Sequence, residues 1–240
     1  MITFAVMNLF YEPNLSFPFT VLNENESNHC VKVLRQVIGD KILITNGLGV
    51  IYNAVISVPH HKHCEVEILE EYEKSPHRNY RLHMAVAPTK SFDRYEWMLE
   101  KLVEIGVDEI TPLLCEKSER DKINTDRCRK VLISAMKQCQ SGLLPKLNEA
   151  LHFSKFINTI PPQNTLIAHC FEAEKSGLKQ VDLFNGTITI LIGPEGDFSL
   201  AEVDKAKVLG IKALDLGNSR LRTETAAVYA AAAIKVLSSN

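Results

Sequence analysis

The sequence has little net charge, few cysteines and no long apolar run. Its 27 Lys and Arg residues against 29 Asp and Glu residues leave a formal charge of -2 over 240 residues, which disfavours a protein that holds nucleic acid by bulk positive charge. No apolar run approaches the roughly 18 residues of a membrane-spanning helix, so we expect no membrane insertion. The first residues carry neither a basic leader nor a small-residue cleavage site, which predicts that there is no signal peptide.

The six cysteines are scattered and form no C-x-x-C pair. Without a secretory context this pattern predicts reduced thiols in a cytoplasmic protein. The hydrophobic content of 45% is ordinary for a globular chain, and with 11 glycines and 10 prolines it excludes a disordered or collagen-like protein. The length allows one large domain or two unequal ones.

The amino-terminal part is predicted to be a small β-rich unit. The runs KILITNG, GVIYNAVISV and HCEVEILEEY are rich in β-branched residues and are separated by turn signals. The segment ESNHCVKVLRQV and the residue after it place Val31, Leu34 and either Val37 or Ile38 at helical spacing, which predicts one helix that is closed by Gly39. The polar segment EKSPHRN is the best linker, so we place a boundary near Lys74, with residues 1–73 and 74–240 as the two domains.

From Arg81 onward, predicted strands alternate with predicted helices. Strands are predicted at RLHMAVAPT, EITPLLC, TLIAHC, TITILIGP and IKALDLG, and helices at SFDRYEWMLEKLVEIG, at DRCRKVLISAMKQCQ, after Ser199 and from Thr223. The first of these helices is predicted to start with a capping box formed by Asp93 and Glu96. The alternation predicts an α/β domain with a mainly parallel sheet that is covered on both faces.

Two strand ends are candidate ligand sites, because ligands bind at the carboxyl edge of such sheets. In TITILIGPEGDFSLAE an apolar strand ends in GPEG (residues 193–196), and Ser199 with Glu202 forms a predicted capping box. Two glycines around a rigid proline let a ligand approach the backbone closely. In KALDLGNSRLRTETAA a strand ends at Gly217, and a polar loop with two arginines leads into the last helix.

Purely structural interpretations stay open for both strand ends. A glycine turn between a strand and a helix is often only a tight connection. Glu195 can satisfy backbone donors of its own turn, and Arg220 and Arg222 can be solvated surface charges. Neither loop fits G-x-G-x-x-G or G-x-x-x-x-G-K-[ST], and the chain has no G-x-S-x-G, which disfavours a Rossmann dinucleotide site, a P-loop and a serine nucleophile.

Two other clusters carry less weight. His60, His61, His63 and Cys64 have the chemistry to bind zinc but lack the usual ligand spacing, so we predict no metal. The basic run SERDKINTDRCRK fits contacts to phosphates or, more simply, a solvated start of a helix.

The motifs together resemble a known family. The strand with GPEGDFS-x-x-E, followed about twenty residues later by LGNSRLRTETAA, is similar to the signature of the RsmE family, the small-subunit ribosomal RNA uridine N3-methyltransferases of the SPOUT superfamily. HCVKVLRQVIGD and APTKSFDRYEWMLEKLVEIGVDEITPL resemble two further blocks of that family, in the same order. The resemblance therefore covers nearly the whole chain.

One segment departs from the family pattern. Where family members often carry E-Q-x-x-R-x-x-x-P, this chain has KQCQSGLLP, which keeps Gln138 and Pro145 but lacks the Glu and the Arg. If that Arg contacts RNA in relatives, Lys137 or Lys146 is the nearest replacement here. The motifs implied to bind the cofactor are intact.

The resemblance implies a fold and an activity. The fold is an amino-terminal PUA-like RNA-binding barrel followed by a SPOUT α/β domain whose last segments form a trefoil knot around S-adenosylmethionine. The activity is methylation of N3 of a specific uridine in 16S ribosomal RNA, uridine 1498 in ribosome numbering, on the assembled small subunit. The resemblance also implies a homodimer, with which the small side chains of residues 225–233 are compatible.

Residue roles also follow from the resemblance. Uracil N3 holds a proton at neutral pH, so the enzyme has to stabilise the uracil anion. Arg222 is best placed for this by its motif, Arg220 is second, and either Glu224 or water accepts the proton. The implied cofactor-binding residues are Leu191, Gly193, Pro194, Glu195, Gly196, Leu216, Gly217 and Leu221, and the implied RNA contacts are Arg35, Lys90 and Arg94.

Three other functions stay open. They are a SPOUT methyltransferase acting on another RNA or another position, a non-catalytic RNA-binding assembly factor, and a small-molecule enzyme that binds an anion at the GPEG loop. The intact motifs argue against the assembly factor, and the β-rich first domain has no evident purpose in a small-molecule enzyme. Binding of S-adenosylmethionine would separate an enzyme from an assembly factor.

Overall fold

The fold is described from a computed structural model of the chain. It places residues 7–75, 78–177 and 186–238. Within these residues, none of the helices is both long enough and apolar enough to cross a membrane.

The described chain divides into two compact units. The first takes in the described part of Met1–Pro76 together with Ile133–Leu144, and the second the described parts of His77–Leu132 and Pro145–Asn240. The boundary placed near Lys74 from the sequence stays a prediction.

The first unit contains a mixed β-sheet. Its strands are β1 (Leu9–Tyr11), β2 (Phe19–Val21), β3 (Lys41–Thr45), β4 (Val50–Val58) and β5 (Glu65–Lys74). They lie in the order β1-β3-β4-β5-β2, in which β1 and β3 are parallel and the other neighbours are antiparallel. The predicted β-rich unit is confirmed, and its sheet has the form of an open half-barrel with β1 and β2 at the edges.

The helix predicted to run to Gly39 is wrong beyond its first turns. Helix α1 (Glu24–Asn28) is followed by a π-helical turn (His29–Val33). Arg35 then has a left-handed backbone with a φ of 57°, which a continuing right-handed helix cannot contain. The apolar pattern continues to Ile38, but that side chain is exposed to solvent, so the spacing of apolar residues here does not reflect burial.

Residues 137–144 of the segment that departs from the family pattern belong to the first unit. Lys137 Nζ lies 2.7 and 2.8 Å from the two carboxylate oxygens of the buried Glu26, and 5.6 Å from the centre of the Phe10 ring. Gly142 packs so closely on the turn between β3 and β4 that an added Cβ would lie 3.1 Å from the carbonyl carbon of Gly49. Lys137 therefore makes an internal ion pair within this unit.

The second unit contains a parallel sheet. Its strands are β6 (Tyr80–Val86), β7 (Glu109–Leu114), β8 (Lys146–Leu147), β9 (Leu151–His152), β10 (Thr165–Ala168), β11 (Ser176–Gly177), β12 (Gly186–Ile192) and β13 (Lys212–Asp215). The order is β11-β13-β10-β12-β6-β7-β8, with β9 paired to β7 as well, and every described pair is parallel. The predicted parallel sheet is confirmed, and the two-residue strands β8, β9 and β11 were not predicted.

Four of the five remaining described helices follow the predicted order. The five are α2 (Phe92–Ile105), α3 (Thr125–Gln138), α4 (Phe153–Phe156), α5 (Leu200–Val208) and α6 (Thr223–Leu237), with a 3₁₀ turn at Pro162–Asn164. The short α4 was not predicted. The capping box predicted at Ser199 is confirmed: its Oγ accepts the N–H of Glu202 at 3.1 Å, and the Glu202 carboxylate accepts the N–H of Ser199 at 2.8 Å. These two bonds satisfy donors that the start of α5 would otherwise leave unpaired.

The capping box predicted at Asp93 is wrong. Helix α2 begins at Phe92, with Ser91 as its N-cap two residues before the predicted cap, and this cap makes no side-chain hydrogen bond. The carboxylate of Glu96 binds the guanidinium of Arg127 instead of a backbone N–H. Phe92, whose ring lies 4.7 Å from that guanidinium, is the first residue of the helix.

The ion pair of Lys137 predicts a loss of stability when the cation is removed. For Lys137→Met we expect the free energy of unfolding to fall by about 3 kcal/mol, because the buried Glu26 carboxylate is left without its cation. Urea unfolding followed by circular dichroism measures the change. Lys130→Met, at an exposed position of the same helix, is the matched control with a change within about 0.5 kcal/mol. Adding Glu26→Gln to Lys137→Met should recover most of the loss, and no recovery would contradict this role.

Candidate functional site at the carboxyl edge of the parallel sheet

Three neighbouring strands of the second unit end at the same edge. β10 lies between β12 and β13 and is parallel to both, and Ala168 is in register with a residue of each. Because the strands point the same way, the loops that follow them start side by side. These loops, residues 169–175, 193–199 and 216–222, enclose a cavity of about 1290 Å³.

The loop after β12 is shaped by its own residues. Pro194 O accepts the N–H of Asp197 at 2.9 Å, which closes a turn in which Asp197 has a φ of 63°. Gly193 has no room for a side chain, since an added Cβ would lie 3.0 Å from the Phe198 ring. Lys117 Nζ donates to two carbonyl oxygens of the same loop, at 3.1 Å each. The turn is therefore held both from within and by a cation from the loop after β7.

The loop after β10 was not predicted to belong to the site. The N–H of Cys170 donates to Asp197 Oδ2 at 2.8 Å, and Lys175 Nζ donates to His169 O at 2.8 Å. The loop is therefore connected to residues 193–199 and closed on itself. Burial, with a smaller contribution from Lys175, lowers the pKa of His169, so this imidazole lining the cavity is neutral at pH 7.

One hydrogen bond connects the two junctions predicted from the sequence. Thr223 Oγ1, at the start of α6, donates to Gly193 O at 3.0 Å across 30 positions of the chain. In the preceding loop Gly217 has a φ of 95°, and its N–H donates to Asp215 Oδ1 at 2.8 Å. A positive φ favours glycine here, so this residue type is required by the turn that leads to Thr223.

Most residues expected to bind a ligand lie on the cavity wall. Leu191 is the exception, because it is fully buried in the core within β12 and does not line the cavity. Both arginines of the second junction line it, and their side chains are exposed to solvent. The expected residues found on the wall are Gly193, Pro194, Glu195, Gly196, Leu216, Gly217, Leu221, Arg220 and Arg222.

Glu224 and Arg94 are not among the lining residues of the cavity. Glu224 Oε1 lies 3.6 Å from one guanidinium nitrogen of Arg94, and Glu195 Oε1 lies 3.7 Å from another. The backbone N–H of Lys90 donates to the same Glu195 oxygen at 3.1 Å, while its Nζ pairs with Glu119 at 2.8 Å. Glu195 thus does satisfy a backbone donor, but that donor lies on the segment before α2 rather than in its own turn.

The other candidate residues do not line this cavity. Arg35 is exposed on the first unit. The His60 ring stacks on His63 with centroids 5.5 Å apart, while Cys64 is buried, and among the described residues no group of three or more His, Cys, Asp or Glu is arranged to hold a metal ion. In the basic run SERDKINTDRCRK, Arg127 pairs with the carboxylate of Glu96 in α2. This contact fits the interpretation of the run as a solvated start of a helix.

Two parts of the site were missed at the level of sequence. The first is the HCFEAEK segment. The strand TLIAHC was predicted, and the rule that ligands bind at the carboxyl edge of the sheet applied equally to this segment, which follows the strand in the sequence. That segment supplies six of the lining residues, namely His169, Cys170, Phe171, Glu172, Ala173 and Lys175. No local pattern marks Lys117, whose position depends on packing between distant loops.

Two family descriptions match the chain. An RNA methyltransferase domain matches residues 76–235, and an RNA methyltransferase PUA domain matches residues 22–69. Among curated proteins, the Ribosomal RNA small subunit methyltransferase E of Rickettsia conorii is 29% identical over 218 residues, which covers 88% of this chain and 87% of that protein.

Solved structures are similar over nearly the whole chain. A probable rRNA-methyltransferase from Porphyromonas gingivalis is 37% identical, with a TM-score of 0.88 over 97% of this chain and 99% of that one. A Ribosomal RNA small subunit methyltransferase E from Neisseria gonorrhoeae, bound to S-adenosyl methionine, is 29% identical, with a TM-score of 0.85 over 96% of this chain and 98% of that one.

The bond between Thr223 and Gly193 predicts a specific loss of stability. Thr223→Val keeps the shape of the side chain but leaves the buried Gly193 carbonyl without its donor, so we expect the free energy of unfolding to fall by about 1 to 2 kcal/mol. Urea unfolding measures this. Thr225→Val, at an exposed position of the same helix, is the control and should change stability by less than about 0.5 kcal/mol. Equal losses in the two variants would show that the hydrogen bond contributes nothing specific.

Proposed function

The chain belongs to the RsmE family of RNA methyltransferases, and from that premise we propose that it transfers a methyl group from S-adenosylmethionine to N3 of a specific uridine in 16S ribosomal RNA. The observation that carries the proposal is the cavity between the three loops. It gathers the GPEG motif and the loop with two arginines, which lie far apart in the sequence, around one space. A further loop, after β10, completes the wall.

The residues around the cavity fit S-adenosylmethionine. Gly217 leaves its backbone open, because nothing lies within 4 Å of an added Cβ, and apolar walls suit an adenine ring. Acidic lining residues, among them Glu195 and Asp197, complement the positive charges of the sulfonium and amino groups. When bound, the cofactor supplies an electrophilic methyl group. The apolar walls come from Ala168, Ile192, Pro194, Leu214 and Ala226.

The residues proposed to hold this cofactor are those expected from the family motifs. The loops give close access to their backbone groups, which suits the ring and the ribose. Leu191 contributes from within β12, as part of the buried core under the cavity wall. The remaining proposed positions are Gly193, Pro194, Glu195, Gly196, Leu216, Gly217 and Leu221.

The chemistry on the uridine requires an anion at N3. That nitrogen is protonated at neutral pH and becomes a good nucleophile only when the proton leaves, so a guanidinium beside O2 or O4 lowers the barrier by stabilising the anion. We assign this role to Arg222, with Arg220 second, since both are exposed and line the cavity. Glu224, the acceptor expected from the sequence, does not line the cavity, so we assign the proton to water and give Glu224 a supporting role.

Recognition of the RNA is assigned to both parts of the chain. The match to a PUA domain supports RNA binding by the first unit, with Arg35 as a contact, and Lys90 of the second unit carries an exposed ammonium group. A base that reacts inside a pocket has to leave its stack. We propose that the target is uridine 1498 in ribosome numbering. Because the net charge of the chain is only -2, we propose that the shape of the assembled small subunit supplies most of the specificity.

Four further features belong to the proposal. The enzyme acts in the bacterial cytoplasm as a homodimer. Of the small side chains of α6 that are compatible with such packing from the sequence, Ala227, Ala230 and Ala231 are buried within this chain and are not part of the proposed contact. The chain around the cofactor forms the trefoil knot of SPOUT enzymes. The domain boundary lies near Lys74. The similarity to the Neisseria gonorrhoeae structure bound to S-adenosyl methionine supports the cofactor of the proposal.

Arg222→Ala tests the proposed chemistry. Labelled S-adenosylmethionine is incubated with small ribosomal subunits from cells that lack the activity, and the product nucleoside is identified by mass spectrometry. We expect 3-methyluridine with the wild-type protein and a rate about 10² to 10³ lower with Arg222→Ala, because one stabilising group for the anion is lost. Arg81→Ala, at the amino-terminal end of β6 and away from the cavity edge, is the matched control with an unchanged rate.

The outcomes separate the alternatives. A different methylated nucleoside would contradict the N3 assignment while leaving the methyltransferase intact. Cofactor binding without any RNA product would contradict the substrate. If neither cofactor binding nor product is found, the chain is an RNA-binding assembly factor. Transfer to naked 16S RNA at the same rate as to subunits would contradict recognition of the assembled particle.

A further inference from the structure

Arg94 lies between two carboxylates, one in the GPEG loop and one in the first turn of α6. One guanidinium nitrogen is 3.7 Å from Glu195 Oε1, and another is 3.6 Å from Glu224 Oε1. The remaining oxygen of each carboxylate is buried, and within the described residues neither has a hydrogen-bond partner. The side chain of Glu224 is only 7% exposed. In the described part of the chain, Arg94 is thus a cation that lies beside both carboxylates.

The two carboxylates are fixed to the two motifs of the cavity. Glu195 lies within GPEG and lines the cavity, and its Oε1 also accepts the backbone N–H of Lys90. Glu224 lies in the first turn of α6, two residues after Arg222. A group that binds both carboxylates therefore connects the GPEG loop to the start of the helix that carries the second motif. The planar guanidinium suits this task, because it presents several donors in a fixed plane.

The electrostatic balance makes the connection necessary. Two nearby negative charges, one of them almost fully buried, repel each other and lose hydration. A single positive charge between them offsets both effects. Without it, the loop and the helix would separate to let water reach the carboxylates, and that movement would change the cavity wall at Glu195 and at the neighbouring Arg222.

We propose that Arg94 is a positioning residue that holds the GPEG loop and the start of α6 together, and thereby fixes the binding site for S-adenosylmethionine, rather than a residue that contacts RNA. The inference rests on the proposed function, because the cavity has to be a cofactor site. It differs from the expectation drawn from the sequence, in which Arg94 is grouped with the RNA contacts. It also gives Glu224 its role, as one of the two carboxylates that Arg94 binds.

The test compares variants of the full-length protein for cofactor binding and RNA binding. Arg94→Met removes the charge at similar length, and Arg94→Lys keeps the charge but not the planar set of donors. Calorimetry with S-adenosylmethionine gives the affinity for the cofactor, filter binding to small ribosomal subunits gives the affinity for RNA, and the thermal midpoint reports folding. Lys101→Ala, which removes an exposed ion pair on the same helix, is the control.

We expect Arg94→Met to weaken cofactor binding by about tenfold or more, since it leaves a buried carboxylate without its cation. Arg94→Lys should lie between Arg94→Met and the wild type. In the transfer assay the KM for the cofactor should rise while kcat at saturating cofactor changes less than about twofold, because uniform binding is lost and not the chemistry. Adding Glu224→Gln to Arg94→Met should restore most of the cofactor affinity, which a general loss of folding would not allow.

Other results overturn the proposal. If Arg94→Met binds the cofactor like the wild type but binds subunits more weakly, Arg94 is an RNA contact. If cofactor affinity falls and Glu224→Gln does not recover it, Arg94 does not act by balancing the two carboxylates. A wild-type protein that binds no S-adenosylmethionine at all would instead contradict the proposed function, and this result is distinguishable because it appears before any variant is made.

Discussion

The parallel register of β10, β12 and β13 is the constraint on which the site depends. Since the three strands point the same way and are neighbours, the loops after them start at one edge of the sheet. The backbone then brings together residues that lie some 50 positions apart, without any long-range pattern in the sequence. The hydrogen bond from Thr223 to Gly193 and the bond from Cys170 to Asp197 connect the three loops into one wall. A change in this register would separate them.

Charge is distributed so that the cavity is polar without being strongly positive or negative. The cavity is lined by cations such as Lys117 from the loop after β7, Lys175 from the loop after β10 and Arg222 from the loop after β13. Acidic groups such as Asp215 line it as well. Burial keeps His169 neutral, so it adds no positive charge near pH 7. This balance is consistent with a small positively charged ligand beside an arginine that acts on a developing anion.

The sequence predicted the elements whose signals are local. Apolar runs such as TITILIGP are buried strands, and the Ser199 capping box is formed, because in both cases the residues that decide the structure are neighbours in the chain. The capping box predicted from the same pattern at Asp93 is not formed, because Phe92 is part of the helix and Glu96 binds Arg127, a residue about 30 positions away. A short-range pattern cannot report such a partner.

The parts that the sequence did not predict depend on distant contacts or on backbone conformation. The left-handed Arg35 ends the first helix although the apolar spacing continues beyond it. Lys117 reaches the GPEG loop, and Lys137 pairs with Glu26, across about 80 and 110 positions respectively. The family resemblance marked the two motifs of the cavity, but the place of Arg94 between Glu195 and Glu224 became visible only in the folded chain.

Hydrogen exchange of the backbone amides, measured with and without S-adenosylmethionine, tests most directly whether the three loops form the cofactor site. The account predicts that the cofactor slows exchange in residues 169–175, 193–199 and 216–222, and that exchange in β3 and β4 of the first unit is unchanged. Slower exchange in only one of the three loops, or confined to the first unit, would contradict a single site built at the carboxyl edge of the parallel sheet.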